Sequence, residues 1–239
     1  MTEQQAKPKS DLGVRTASAV VMAAVAGASL WHGGWLYTLF ISAVTIGLLW
    51  EWWGLSDKIA SHRLAKFSWM IGGLIYIGLA AFLLFSLGSD AMLGGEKMAT
   101  NWVVPLVLVV IATDVGAFFA GRSIGGPKIA PKISPSKTWS GLLGGMFAAA
   151  VTLYLWNKVA QPNSNDGAFW LLLSGAVLAI VAQTGDFFES WMKRKAGVKD
   201  SSKLIPGHGG LLDRVDGLLP VVIVASGVAF SIIVLSGDL

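Results

Sequence analysis

Residues 190–216 read SWMKRKAGVKDSSKLIPGHGGLLDRVD, and this stretch decides how the rest of the chain is to be read. It sets Lys193, Arg194, Lys195, Lys199, Lys203 and Arg214 against Asp200, Asp213 and Asp216, with a Pro206–Gly210 turn between the two charged ends. Long apolar runs flank it on both sides, so a dense polar loop is pinned at a membrane surface. Cations alone would make an anion site and carboxylates alone a metal site. The two together suit a polyphosphate carried with its divalent ion.

Outward from this loop the chain is apolar. Hydrophobic residues make up 54% and charged residues 13% of the 239 positions, and mean hydropathy is +0.64. A soluble domain carries about 25% charged residues. The expected fold is therefore all-α, a polytopic integral membrane helical bundle, since about 17–25 apolar residues cross the hydrocarbon core as a helix. Seven spans are expected near 16–31, 35–52, 67–87, 102–121, 139–156, 169–188 and 217–235, or eight if the third breaks at Gly72-Gly73. Residues 1–239 form one membrane domain, with 1–13 a polar, disordered cytoplasmic tail and 102–239 the half that carries chemistry. The Ala-rich first span resembles a signal peptide but is expected to be retained, because it supplies the first term of the charge alternation.

All but two of the 18 Lys and Arg residues, Lys97 and Lys158, fall on one side of these spans. The positive-inside rule makes that side cytoplasmic and places the chain in the cytoplasmic (inner) membrane with its polar loops inside. The net charge of +4 is thus topological, and no nucleic acid partner is expected. The absence of cysteine excludes disulfides, thiol catalysis and thiolate metal sites. Most of the 11 tryptophans lie at span ends, as an interfacial aromatic belt does. Glycines within spans, such as Gly141, Gly144, Gly145 and Gly175, allow close helix packing.

The acidic residues are few. Asp186, Glu189 and Ser190 share a helix face at i, i+3 and i+4, an oxygen-rich edge that suits a hard cation such as Mg²⁺; Glu189 alone reads as a surface salt bridge to Lys193. Asp213 and Asp216 are spaced i, i+3 at the start of the last span. A helix dipole favours carboxylates there, and the neighbouring Arg214 and glycine turn add the case for metal. Asp114, deep in the fourth span, needs a partner: either Arg122 or a neighbouring helix, or a metal or nucleotide pocket. A weak internal echo links Asp114…Phe118-Phe119…Arg122 with Asp186-Phe187-Phe188…Arg194. Gly209 and Gly210 let backbone N–H groups approach an anion, and His208 either donates to a phosphate or fixes the turn. In the other basic loop, Ser134, Ser136 and Lys137 precede a helix start, an anion site, with Ser136 or Thr138 as the N-cap.

The stretch from Ser190 to Asp216 resembles the signature of the phosphatidate cytidylyltransferases (CDP-diacylglycerol synthases). Ser190, Lys193, Arg194, Lys199, Asp200, Ser202, Ile205, His208, Gly209, Gly210, Asp213, Arg214 and Asp216 fill its fixed positions. The likeness extends to Ile133–Thr138 and Gly185–Ser190, covering the C-terminal half. It implies transfer of CMP from CTP to phosphatidate, releasing pyrophosphate, with membrane lipids around the site and a homodimer compatible with the family. Mg²⁺ on Asp186, Asp213 and Asp216, with room for a monovalent cation, is the implied cofactor. Lys193, Arg194 and Arg214 join these aspartates in catalysis. Ser134, Ser136, Lys137, Ser190, Lys199, His208, Gly209 and Gly210 bind substrate. A CTP-dependent lipid kinase would release CDP instead. An ion-coupled transporter explains Asp114 and Asp186 but not two one-sided charged loops. CDP-alcohol phosphotransferases need residues after Asp216-Gly217 that this chain lacks.

Overall fold

The computed structural model describes residues 12–88, 98–162 and 167–236. Helices dominate: α1 (Leu12–His32), α2 (Gly34–Ile59), α3 (Arg63–Gly88), α4 (Met98–Ser123), α5 (Trp139–Ala160), α6 (Ala168–Lys195), the single turn α7 (Leu212–Val215) and α8 (Leu218–Ser236). Six are long and apolar enough to cross a membrane, and α8 is a shorter apolar helix. At 1.5 Å per residue, even the 21-residue α1 is about 30 Å long. The expected polytopic bundle is thus what the chain forms. Of the expected polar tail, residues 1–11 lie outside the described residues, while Leu12 and Gly13 already belong to α1.

Small residues set the helix spacing. Along the α4–α5 seam a Cβ on Gly145 would meet the Thr113 carbonyl at 2.9 Å, and one on Gly141 the Ala117 carbonyl at 3.0 Å. The two backbones touch, which only glycine permits. Gly175 seats α6 on Ala149 and Ala150 of α5 in the same way. The glycine pair in α3 does not break the helix. Gly73 is the recess that receives the Trp52 indole, whose Nε1 donates to the Trp69 carbonyl at 2.8 Å. Trp52 is therefore a buried core residue (4% exposed) and departs from the belt reading, whereas Trp31, Trp35, Trp50, Trp53 and Trp170 stay exposed.

Between α4 and α5 the chain makes a short antiparallel hairpin, β1 (Lys128–Ala130) and β2 (Ser134–Thr138). Thr138 then caps α5, its Oγ1 accepting from the Gly141 amide at 3.1 Å. Ser136, the other N-cap candidate, is an exposed strand residue.

The basic loops gather at one end of the bundle. Ser18 Oγ, near the start of α1, donates to the Pro206 carbonyl at 2.8 Å. Arg194, at the end of α6, reaches the Ile133 carbonyl of the hairpin turn at 3.5 Å. The N-terminal helix start, the hairpin and the 196–211 loop thus share a face, as the charge asymmetry requires.

Candidate active site

Two carboxylate groupings stand at this end of the bundle. The first is built on Asp213. Its Oδ2 accepts from the Gly210 amide at 2.8 Å, the Ser201 amide at 3.0 Å and Ser201 Oγ at 3.1 Å. Its Oδ1 pairs with Lys193 Nζ at 2.6 Å, and Lys193 also meets Glu189 at 2.6 Å. Burial opposes the charge on Asp213, but hydrogen bonding with Glu189, Lys193 and the Gly210 amide outweighs it and holds the carboxyl well below the usual range. Glu189 is 3% exposed. Its pair with Lys193 is therefore a buried bridge within the site, in place of the surface one expected.

The second grouping lies about two turns of α6 before Lys193, around Asp186 on the same helix face. Asp186 is ion-paired with Lys137 of β2 and accepts from Ser190 Oγ at 3.3 Å. Lys137 also sits 5.0 Å over the Phe187 ring. Asp114 of α4 shares the electrostatic neighbourhood of Asp186, Lys137 and Arg214, while Arg122 lies over the Phe118 ring at 5.9 Å. Asp216 follows α7, and its Oδ1 accepts from the Gly217 amide at 2.8 Å. Burial, then the Asp186 and Asp114 carboxylates, push Asp216 up to about 7. Gly185 makes this closeness possible, because any Cβ there would collide with the Asp216 carbonyl.

Among the described residues no three His, Asp or Glu side chains converge into a metal cage. Of the three aspartates singled out for a metal, Asp213 is bonded to the loop and Lys193, and Asp186 to Lys137. The donor set of Asp186 and Asp216 still fits Mg²⁺, which keeps several waters and binds through one or two carboxylates plus substrate phosphates.

The turn itself is tied by Ile205 N donating to the Gly209 carbonyl at 2.8 Å and His208 N to the Ile205 carbonyl at 3.0 Å. Gly207 and Gly209 have φ of 75° and 82°, a region L side chains rarely adopt. Arg214 Nη2 donates to the His208 carbonyl at 2.6 Å, and His208 Nδ1 is buried without a partner within the protein. Lys199 and Arg194 are exposed and Ser134 is half-buried in β2.

One residue escaped the sequence reading. Glu51 of α2 is 1% exposed and accepts from Ser202 Oγ at 2.5 Å, Leu211 N at 2.7 Å, Leu212 N at 2.6 Å and Ser201 Oγ at 3.1 Å. The available signal was a carboxylate inside an otherwise apolar span, which is costly unless paired.

Beside the second grouping a groove of about 590 Å³ opens between α3, α6 and α8, walled by Trp69, Gly72, Tyr76, Thr184, Phe188 and Pro220. A larger hollow of about 780 Å³, lined by residues such as Trp102, Trp156, Trp170 and Val228, has no charged lining residue. The first groove has no charged lining residue either; it is set apart by position, since its lining residues Thr184 and Gly185 adjoin Asp186.

The chain matches the model of the Cytidylyltransferase family over residues 60–232, and it belongs to that family. Among its relatives, a Brucella melitensis protein named phosphatidate cytidylyltransferase is 38% identical over a 248-residue alignment covering 88% of this chain and 90% of the relative. A Rickettsia bellii protein of the same name is 35% identical, with 89% of this chain and 88% of the relative covered.

Proposed function

We propose that the chain is a Mg²⁺-dependent CTP:phosphatidate cytidylyltransferase, transferring CMP from CTP to phosphatidate with release of pyrophosphate. The observation that carries this reading is the junction of a carboxylate-and-cation site with an apolar groove between α3, α6 and α8. Gly185 and Thr184 line that groove, and the adjoining residue Asp186 belongs to the site. A lipid phosphate can therefore reach the charges while its acyl chains remain among Trp69, Tyr76 and Phe188.

In the reaction a phosphatidate oxygen attacks the α-phosphorus of CTP, and the bond to the pyrophosphate oxygen breaks. The attacking phosphate is ionised near neutral pH, so no side chain has to remove a proton. Asp186 and Asp216 would hold Mg²⁺, with Asp114 in the same field, and the ion supplies charge neutralisation of the phosphates. Lys137, paired with Asp186, would be within the site to hold a phosphate, as would Arg194, Lys199 and Arg214. Asp213 keeps Lys193 and the Gly210 amide in place beside the reacting groups. His208 has a buried ring nitrogen free to meet a substrate oxygen. The loop face is the cytoplasmic one, because it bears nearly all the basic residues.

The test is product analysis. Membranes holding the protein, given CTP, Mg²⁺ and phosphatidate, should yield CDP-diacylglycerol and one pyrophosphate each, and lose activity in excess EDTA. Release of CDP with a phosphorylated lipid alcohol would refute the reading, and full turnover in EDTA would refute the ion.

A further inference from the structure

Glu51 lies outside the segment that carries the family match, residues 60–232, and outside both polar loops. We propose that it is a positioning residue for the reaction, clasping both ends of the 201–212 loop so that Asp213 and Lys193 stand where the chemistry needs them. The kinetic part of this inference rests on the cytidylyltransferase reading.

The clasp closes on two segments ten residues apart. One end of the loop gives Ser201 Oγ and Ser202 Oγ; the other gives the Leu211 and Leu212 amides, and all four donate to the Glu51 carboxylate. Between them runs the Pro206–Gly210 turn. Loops lose their precision when their ends are free, and one anchored carboxylate on a rigid helix removes that freedom.

The carboxylate also reaches the site through a shared hydroxyl. Ser201 Oγ stands 3.1 Å from Glu51 Oε2 and 3.1 Å from Asp213 Oδ2. A hydroxyl has one proton, so the two carboxylates compete for it, and Ser201 keeps its amide on Asp213 at 3.0 Å. Asp213 in turn holds Lys193. Glu51 thus acts on Lys193 through Ser201 and Asp213, without touching a substrate.

The loop's own sequence is fitted to this carboxylate. A Cβ on Gly210 would collide with Ser201 Oγ and lie 2.8 and 2.9 Å from the Glu51 oxygens, so the third glycine of the turn leaves the room in which Ser201 and Glu51 meet. Gly47, one turn earlier on α2, admits Leu211 in the same manner, with its Cδ2 at 3.0 Å from the Cβ position. The packing of α2 on α3 is supplied separately by Tyr37, Trp52 and Leu55, all buried.

The experiment uses the full chain in vesicles with the loop face outward. Two measurements are made on Glu51→Gln, Glu51→Asp and Ser202→Ala: tryptic cleavage at Lys199 and Lys203, and kcat and KM with CTP and phosphatidate. Glu51→Gln puts an NH₂ against an N–H donor and is expected to speed cleavage at those two lysines about tenfold, leaving cleavage after Lys58, Arg63 and Lys66 unchanged. Its kcat should fall about 10- to 100-fold, the range for supporting partners of reactive groups, with the KM for CTP within about threefold of the wild type, as for a loss felt in the transition state. Glu51→Asp should recover part of the kcat. Unchanged cleavage in Glu51→Gln overturns the clasp. Faster cleavage with unchanged kcat overturns the positioning role. If Glu51→Gln does not fold, Ser202→Ala decides: a drop in kcat supports the inference, and a wild-type kcat and cleavage pattern refute it. Cleavage is read without substrate, so a wild-type protein that makes no CDP-diacylglycerol would refute the proposed function and leave the clasp standing or falling on its own measurement.

Discussion

Replacing Asp213 by Asn separates a loop anchor from a metal ligand. Asn keeps one oxygen to accept from the Gly210 amide and from Ser201, as Asp213 Oδ2 does. Its NH₂ must then face Lys193 Nζ, which stands 2.6 Å from Oδ1, so a donor meets a donor and the ammonium withdraws. Lys193 retains Glu189 at 2.6 Å, so the loss falls short of the 3–5 kcal/mol typical of a fully broken buried pair. A charge-assisted hydrogen bond is worth about 1.5–3 kcal/mol. That predicts a fall in kcat of roughly 10- to 150-fold if the misplaced ammonium acts on the transition state. The assay is initial-rate synthesis of CDP-diacylglycerol across a Mg²⁺ series. Because the lost partner is a lysine, raising Mg²⁺ should not restore Asp213→Asn, whereas Asp216→Asn should recover part of its activity. Recovery of Asp213→Asn by Mg²⁺ would show that Asp213 ligates the ion and refute its assignment to the loop.

Asp216 makes the site sensitive to pH, since its folded value is raised to about 7 by burial and by Asp186. In metal-free protein the stability from this group is full below the unfolded value, about 3.9, and is lost as pH rises through 7. The thermal midpoint in EDTA should therefore decline between pH 4 and 7, and Mg²⁺ should reverse the decline. Activity should fall on acidification below 7, as protons displace the ion, and an Asp216→Asn protein should lack this limb. Lys137→Ala frees Asp186 of its bound lysine, so Mg²⁺ binding, measured by titration, should tighten while the KM for CTP rises. Gly210→Ala drives a methyl into Ser201 and Glu51; overpacking costs about 1–3 kcal/mol, read as a lower thermal midpoint with kcat lost in parallel.

The span count, the one-sided loops and the family were legible in the sequence because each depends on local order. An apolar run must be a helix in a bilayer, where backbone groups have no water to bond. A motif with fixed spacing needs no knowledge of its neighbours. The sequence also singled out the polar residues of the loop as a group, and the structure brings several of them together around Asp213. Their division of labour was another matter. Asp213 and Asp216 are three residues apart, and helix periodicity puts them on one face. Yet α7 is a single turn, and the chain re-enters α8 at Leu218. Across that interruption Asp213 bonds to Lys193, while Asp216 lies in the field of Asp186. Glu189, read as exposed, proved buried because α6 presents that face to the loop. Gly73, where the sequence left a break open as the alternative to one continuous span, became a recess, since its fate depended on whether Trp52 lay opposite. Glu51 shows the limit most plainly: a carboxylate in an apolar span demands a partner, but its donors lie 150 to 161 positions away. Which distant groups meet is set by how helices pack, and packing is decided by the whole chain at once. The sequence by itself determined the apolar helices and the charged residues set between them; only the tertiary structure decided which carboxylate holds the loop and which pairs with Lys137, because packing brings distant groups together.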